Sequence, residues 1–167
     1  MELDHVDRLL GQWAGECPHL DTSALAVSAR VSRLHRFFDL RLSELLDRYA
    51  LHEGEANVLA ALRRAGAPHQ LTPTELSRSL LISSGAMTNR LDRLEERGLI
   101  ERIPDAVDGR KVQVALTPAG RDVIDEAMVA HTTDLEELLG FLDEEARAAL
   151  AGLLRCILLA FERDATR

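Results

Sequence analysis

The sequence predicts a mainly α-helical chain with one small β-hairpin, and three observations carry that prediction. The composition is 46% hydrophobic but only 4% aromatic, rich in Leu, Ala, Arg and Glu, which favours helices packed by aliphatic side chains. Apolar residues recur at three- and four-residue spacing along most of the chain. The period shortens to two in LIERI (99–103) and KVQVAL (111–116), as in half-buried strands. A length of 167 residues suits a single domain with a real core.

Residues 3 to 14 place Leu3, Val6, Leu9, Leu10 and Trp13 at helical spacing, and CPHLD (17–21) ends that helix at a proline. A long helix is expected from about Ser23 to Tyr49, capped by Thr22 or Ser23, with Leu25, Val31, Leu34, Phe38, Leu42, Leu45 and Leu46 along its apolar side. A further helix runs from about 52 to 65 and stops at Gly66. LTPTELSRSLLI (71–82) carries a strong helix start, with Thr72 as cap, Pro73 in the first turn and Glu75 three residues after the cap. The helix SSGAMTNRLDRLEERG (83–98) follows almost at once.

PDAVDGR joins the two expected strands with the residues of a hairpin tip. TPAG (117–120) starts another helix, with Thr117 as cap and Pro118 at its first position. Two C-terminal helices, about 118–140 and 143–165, are separated by Gly140 and capped at the second by Asp143. Short helix, tight turn, helix and hairpin together spell a winged helix-turn-helix. The outer helices hold more leucine than that small unit can cover, so a homodimer is expected through the N- and C-terminal helices. The division is 1–50 (N-terminal dimerisation helices), 51–117 (winged helix-turn-helix lobe) and 118–167 (C-terminal dimerisation helices), one intertwined domain.

Several function classes find no support. No apolar run approaches the roughly 20 residues that span a bilayer. The start MELDHVDRLL is amphipathic and charged rather than a signal peptide, so no membrane association and a cytoplasmic location are expected. Cys17 and Cys156 have no CxxC or CxxH neighbour, and the histidines lack metal-binding spacing, so neither a metal nor a cofactor is expected. No nucleophile elbow, Gly-rich phosphate loop or metal triad points to an enzyme. The net charge of −8 argues against non-specific DNA affinity, so a DNA-binding role must rest on local geometry.

That geometry lies in 83–98. Met87, Leu91 and Leu94 fall on one face with Ala86, while Ser84, Gly85, Thr88, Asn89, Asp92 and Arg93 take the other. A helix N-terminus attracts phosphate, Ser83, Ser84 and Thr88 add hydroxyl donors, and Gly85 permits close backbone approach. Asn89 suits an adenine edge, and Arg93 suits guanine or phosphate. At the hairpin tip Arg110 and Lys111 follow Asp108, so Arg110 can enter a minor groove with its guanidinium held by Asp108. Across 84–111 six basic residues (Arg90, Arg93, Arg97, Arg102, Arg110, Lys111) balance six acidic ones, so placement rather than net charge carries the DNA reading.

Residues 71–121 closely resemble the DNA-binding core of the MarR family of transcriptional regulators, most specifically in the D-x-x-D-x-R pattern of Asp105, Asp108 and Arg110 and in the TPAGR helix start. The resemblance implies a homodimer that binds a pseudopalindromic double-stranded DNA operator, usually repressing nearby genes until a small ligand releases it. The N-terminal helix with Trp13, SSGAMTNR and DTSALAV also resembles the urate-responsive, PecS-like subgroup. That likeness implies a ligand site at Trp13, Arg90 and Arg102, with Asn57 where the subgroup has an aspartate. Asn57 has no carboxylate to push against a ligand's charge, so an anionic or aromatic ligand other than urate is expected. Trp13 equally suits packing in a dimer core, Arg90 a phosphate contact, and Arg102 an ion pair with an acidic neighbour. Two other readings stand beside this one: a redox-sensing regulator acting through Cys17, and a helical interaction dimer without DNA affinity. Cys156, inside a leucine-rich helix, reads as core packing.

Overall fold

The computed structural model describes residues 2–104 and 112–165. In chain order the elements are α1 (His5–Glu16), α2 (Ser23–Asp47), α3 (Glu53–Arg64), β1 (Gln70–Leu71), α4 (Pro73–Ser79), α5 (Ser84–Glu96), β2 (Ile100–Pro104), β3 (Val112–Leu116), α6 (Pro118–Leu139) and α7 (Glu144–Ala165). The helix starts follow local chemistry. Thr72 accepts from the Glu75 N–H while Glu75 takes the Thr72 N–H, a capping box that begins α4. Thr117 accepts from the Gly120 N–H to begin α6, and Asp143 accepts from the Ala146 N–H ahead of α7. Asp4 and Asp7 form a capping box on α1, and Arg30 of α2 bonds both carboxylates at 2.9 and 2.6 Å, tying the first two helices together.

The core centres on α3. Val58, Leu59 and Leu62 are fully buried there, against Leu76 of α4, Met87, Leu91 and Leu94 of α5, Ile100 and Val114 of the sheet and Ile124 of α6. At α2 only the last turn joins this core, through Leu45 and Leu46, with Leu42 partly covered.

The structure differs from the sequence-based expectation in three respects. The sheet has three strands in the order β1-β3-β2, all antiparallel, because Gln70 and Leu71 pair with Ala115 and Val114. Thr22 occupies the cap position of α2 but makes no side-chain cap bond; the Asp21 carboxylate accepts from the Ser23 N–H instead. Leu25, Val31 and Leu34 of α2 are exposed in the single chain, in keeping with the expectation that the small lobe cannot cover the outer helices. Cys156 is exposed on α7 rather than packed in a core, because α7 has no extended packing partner within one chain. The hairpin tip, with Asp105, Asp108, Arg110 and Lys111, lies outside the described residues.

Candidate nucleic-acid interface

α4 and α5 are joined by a turn in which the Ile82 N–H bonds the Ser77 carbonyl at 3.1 Å and Leu81 takes a positive φ of 53°. This turn brings Ser83 to the N-cap of α5, where its Oγ accepts from the Ala86 N–H. Burial of Met87, Leu91 and Leu94 fixes the rotation of α5, so Ser84, Gly85, Thr88, Asn89 and Arg93 all face outward and are exposed. Thr88 donates its hydroxyl to the Ser84 carbonyl at 3.0 Å, which leaves its oxygen lone pairs facing out. The Asn89 side chain makes no hydrogen bond among the described residues, so its amide keeps both donor and acceptor capacity.

Gly85 is informative for a different reason. A Cβ built there meets nothing within 4 Å, and the residue needs no positive φ, so the fold itself does not require glycine. The absence of a side chain there leaves the backbone of the first turn of α5 open to close approach from outside.

Behind this face lies a charged junction absent from the sequence reading. Glu55, in the first turn of α3, is only 3% exposed. Its Oε2 accepts from the His52 N–H at 3.2 Å and from Arg97 Nη1 at 3.4 Å, while Oε1 lies 3.8 Å from Arg93 Nη1. Arg97 also donates to the Ala50 carbonyl at 2.8 Å and the Tyr49 carbonyl at 3.3 Å, just beyond the end of α2. A buried carboxylate needs such partners. The local signal was HEGE, where Glu55 stands at the third helical position of α3; nothing local placed the arginines beside it.

The four residues of the expected ligand site do not form one cluster. Arg90 is half-buried with its guanidinium over Gly54 of α3, where an added Cβ would lie 2.6 Å from Cζ. It makes no ion pair among the described residues and lines a cavity of about 290 Å³ with Asn89, Arg93 and His52. Asn57 faces elsewhere, into a cavity of about 220 Å³ with Arg64, Met128 and His131, and its amide lies 3.4 Å from a Glu53 oxygen. Trp13, 44% exposed on α1, lines neither cavity. Arg102 is paired with Asp92 at 2.6 Å and with Glu95, whose other oxygen accepts the Arg102 N–H at 3.1 Å. Burial alone would lower the Arg102 pKa, but the two carboxylates outweigh it and raise it above its ordinary value.

Comparison with known proteins decides the class. The transcriptional regulator PecS of Dickeya dadantii is 34% identical over 149 residues, spanning 89% of this chain and 90% of that protein. The chain belongs to the MarR family of DNA-binding transcriptional regulators. The family model described as "MarR family" matches residues 51–111. The multiple antibiotic resistance protein MarR of Salmonella typhimurium is 36% identical over 121 residues, 72% of this chain and 82% of that one. Among solved structures, a mutant MarR from E. coli complexed with operator DNA aligns with a TM-score of 0.70 at 30% identity, covering 83% of this chain and 98% of that one. Wild-type apo MarR from E. coli aligns at 0.67 with 31% identity, over 78% of this chain and 95% of that one. The fold of a MarR-family regulator thus accounts for the helix-turn-helix, the wing and the outer helices together.

Proposed function

We propose that this MarR-family chain works in the cytoplasm as a homodimer that binds a pseudopalindromic operator and represses nearby genes until a small ligand releases it. The observation that carries the operator reading is the outward face of α5: Ser84, Gly85, Thr88, Asn89 and Arg93 are exposed together at the start of the second helix of the helix-turn-helix. Ser83 and Ser84 at the helix start receive a phosphate, Thr88 and Asn89 read base edges, and Arg93 takes guanine or phosphate. Asp108, Arg110 and Lys111 of the wing tip complete the contact in the minor groove. The regulatory relatives and the absence of enzymatic motifs support a binding protein rather than an enzyme.

Dimerisation is supported by α7. Leu150, Leu153, Leu154, Ile157, Leu158 and Phe161 are all exposed and fall on one helical stripe, a face that a second copy covers. Together with residues 1–50 and 118–167, this makes one intertwined unit around two lobes of residues 51–117.

The ligand is a small anionic or aromatic molecule; of the four residues expected to hold it, Arg90 and Asn57 line cavities, while Trp13 lines neither of them and Arg102 is engaged by Asp92 and Glu95. Support comes from Arg90 over Gly54 and from the Asn57 cavity; among the described residues Arg90 has no ion pair and the buried His131 Nδ1 no hydrogen-bond partner. An anion drawing on Arg90 pulls at the middle of α5, which gives one movable element between two sites.

The test is retardation and footprinting of the intergenic DNA beside the gene across a salt series, repeated with anionic metabolites. Salt-sensitive retardation and half-site centres about 10 bp apart are expected. Failure to retard any neighbouring fragment overturns the operator reading. Trp13 is the single tryptophan, so a ligand-dependent change in its fluorescence tests whether it belongs to the ligand site.

A further inference from the structure

We propose that Glu55 is a positioning residue for operator recognition: its buried carboxylate, fixed by Arg97 and the first turn of α3, holds the Arg93 guanidinium in the orientation presented to DNA. The inference rests on the operator reading above and deepens it. Glu55 is not demanded by its capping role, since glutamine at the third helical position closes a capping box equally well. What glutamine cannot supply is a charge shared between two arginines. One carboxylate oxygen is occupied by the His52 N–H and Arg97, and Arg97 is itself held by the Tyr49 and Ala50 carbonyls at the end of α2. The rigid side of the junction is therefore complete before DNA arrives. The second oxygen faces Arg93 at 3.8 Å, a close ion pair without a tight hydrogen bond.

The asymmetry matters. Arg93 is 59% exposed at its side chain and Glu55 only 4%. A long arginine on an open helix face samples many rotamers and loses that freedom on binding. A fixed carboxylate at its base narrows the set beforehand, while solvent at its outer end keeps the pair weak enough to turn toward a base or phosphate. The same carboxylate tempers the positive field that Arg93 offers to any DNA, so it raises discrimination rather than bulk affinity.

The experiment compares wild type, Glu55→Gln, Arg93→Ala and the double variant on the intergenic duplex that wild type retards and on a scrambled duplex of equal length. Melting temperature and oligomeric state are measured for each. Glu55→Gln is expected to lower operator affinity about tenfold, to leave scrambled-DNA affinity unchanged or raised, and so to reduce their ratio about tenfold or more. In the Arg93→Ala background the same change should shift the ratio less than about twofold, since the residue it acts through is gone. An unchanged ratio in Glu55→Gln, or equal loss with Arg93 present and absent, overturns the proposal. Should Glu55→Gln fail to fold, nitrogen-15 relaxation of arginine side chains in the DNA-free wild type still decides. Hindered motion at Arg93 relative to the exposed Arg8 supports positioning, and equal mobility overturns it. If wild type itself retards no duplex, the operator reading fails instead.

Discussion

Gly120 sets how α6 leaves the sheet, and replacing it with alanine tests that geometry. A Cβ at Gly120 would lie 1.9 Å from the Leu99 carbonyl oxygen, 2.8 Å from its carbon and 3.1 Å from Leu116 Cδ1. The backbone oxygen cannot swing away as a flexible side chain can, so the start of α6 must lift by more than an ångström. Two hydrogen bonds cross that gap: Thr117 N–H to the Leu99 carbonyl at 3.2 Å, and Thr117 Oγ1 to the Gly98 carbonyl at 2.8 Å. Losing them costs about 2 kcal/mol, and overpacking adds about 1–3 kcal/mol. Alanine's helix preference returns about 1 kcal/mol. The net destabilisation of Gly120→Ala is about 2–4 kcal/mol, which lowers Tm by about 5–15 °C in a chain of this size. Thermal denaturation followed by circular dichroism measures it. Gly11→Ala is the control, because a Cβ there meets nothing within 4 Å and no loss is expected. A Gly120→Ala protein that melts within about 2 °C of wild type refutes the argument.

Leu81, at φ 53° and 92% exposed, gains nothing from its side chain in the single chain, so Leu81→Gly should raise stability by about 0.5–1 kcal/mol in urea denaturation; a lower urea midpoint contradicts this. Acid should unfold the protein through carboxylates whose pKa is depressed in the folded state. Arg63 hydrogen-bonds Asp125 and holds it below 3.8, while the Thr72 N–H and hydroxyl hold Glu75 below 4.5. Both groups contribute stability above those unfolded values that is lost as pH falls through the folded ones, so the urea midpoint should drop from about pH 5 toward pH 3. A flat profile over that window is the contrary result. Leu158→Asp on the α7 stripe removes about 2 kcal/mol of burial from each of two symmetric copies. It should therefore raise the dimer dissociation constant by about three orders of magnitude. Sedimentation at micromolar protein reads this, and an intact dimer there argues against the α7 face as the contact.

Helix starts were legible because their chemistry is local. Thr72, Ser83, Thr117 and Asp143 each accept an N–H a few residues downstream. The rotation of α5 was legible for the same reason, since Met87, Leu91 and Leu94 repeat with the helix itself. β1 was not, because two residues show no period and their pairing with Ala115 and Val114 is decided some forty residues away. At the site, the outward face could be read from spacing, but Glu55 could not. Its environment is assembled from the end of α2, the start of α3 and the far end of α5, and no short window contains all three. Arg102 shows the converse. It stands within ten residues of both Asp92 and Glu95, yet only the turn from α5 into β2 reveals that both carboxylates reach it.

These placements also explain how a chain of net charge −8 can carry a DNA-binding surface. On α5, Asp92 and Glu95 bond Arg102 of β2, and Glu55 is buried behind Arg93 and Arg97. Asp92, Glu95 and Glu55 are thereby answered from within, while Arg90 has no ion pair among the described residues and Arg93 stays mostly exposed. At physiological salt, charges farther than about 8 Å are largely screened, so contacting groups decide affinity at close range. The acidic remainder still acts at longer range and weakens loose association with arbitrary DNA. In the operator reading proposed above, residence on DNA then depends on directed contacts rather than on net charge. Net acidity and DNA binding are compatible here because Asp92, Glu95 and Glu55, the carboxylates closest to Arg93 and Arg102, are already paired.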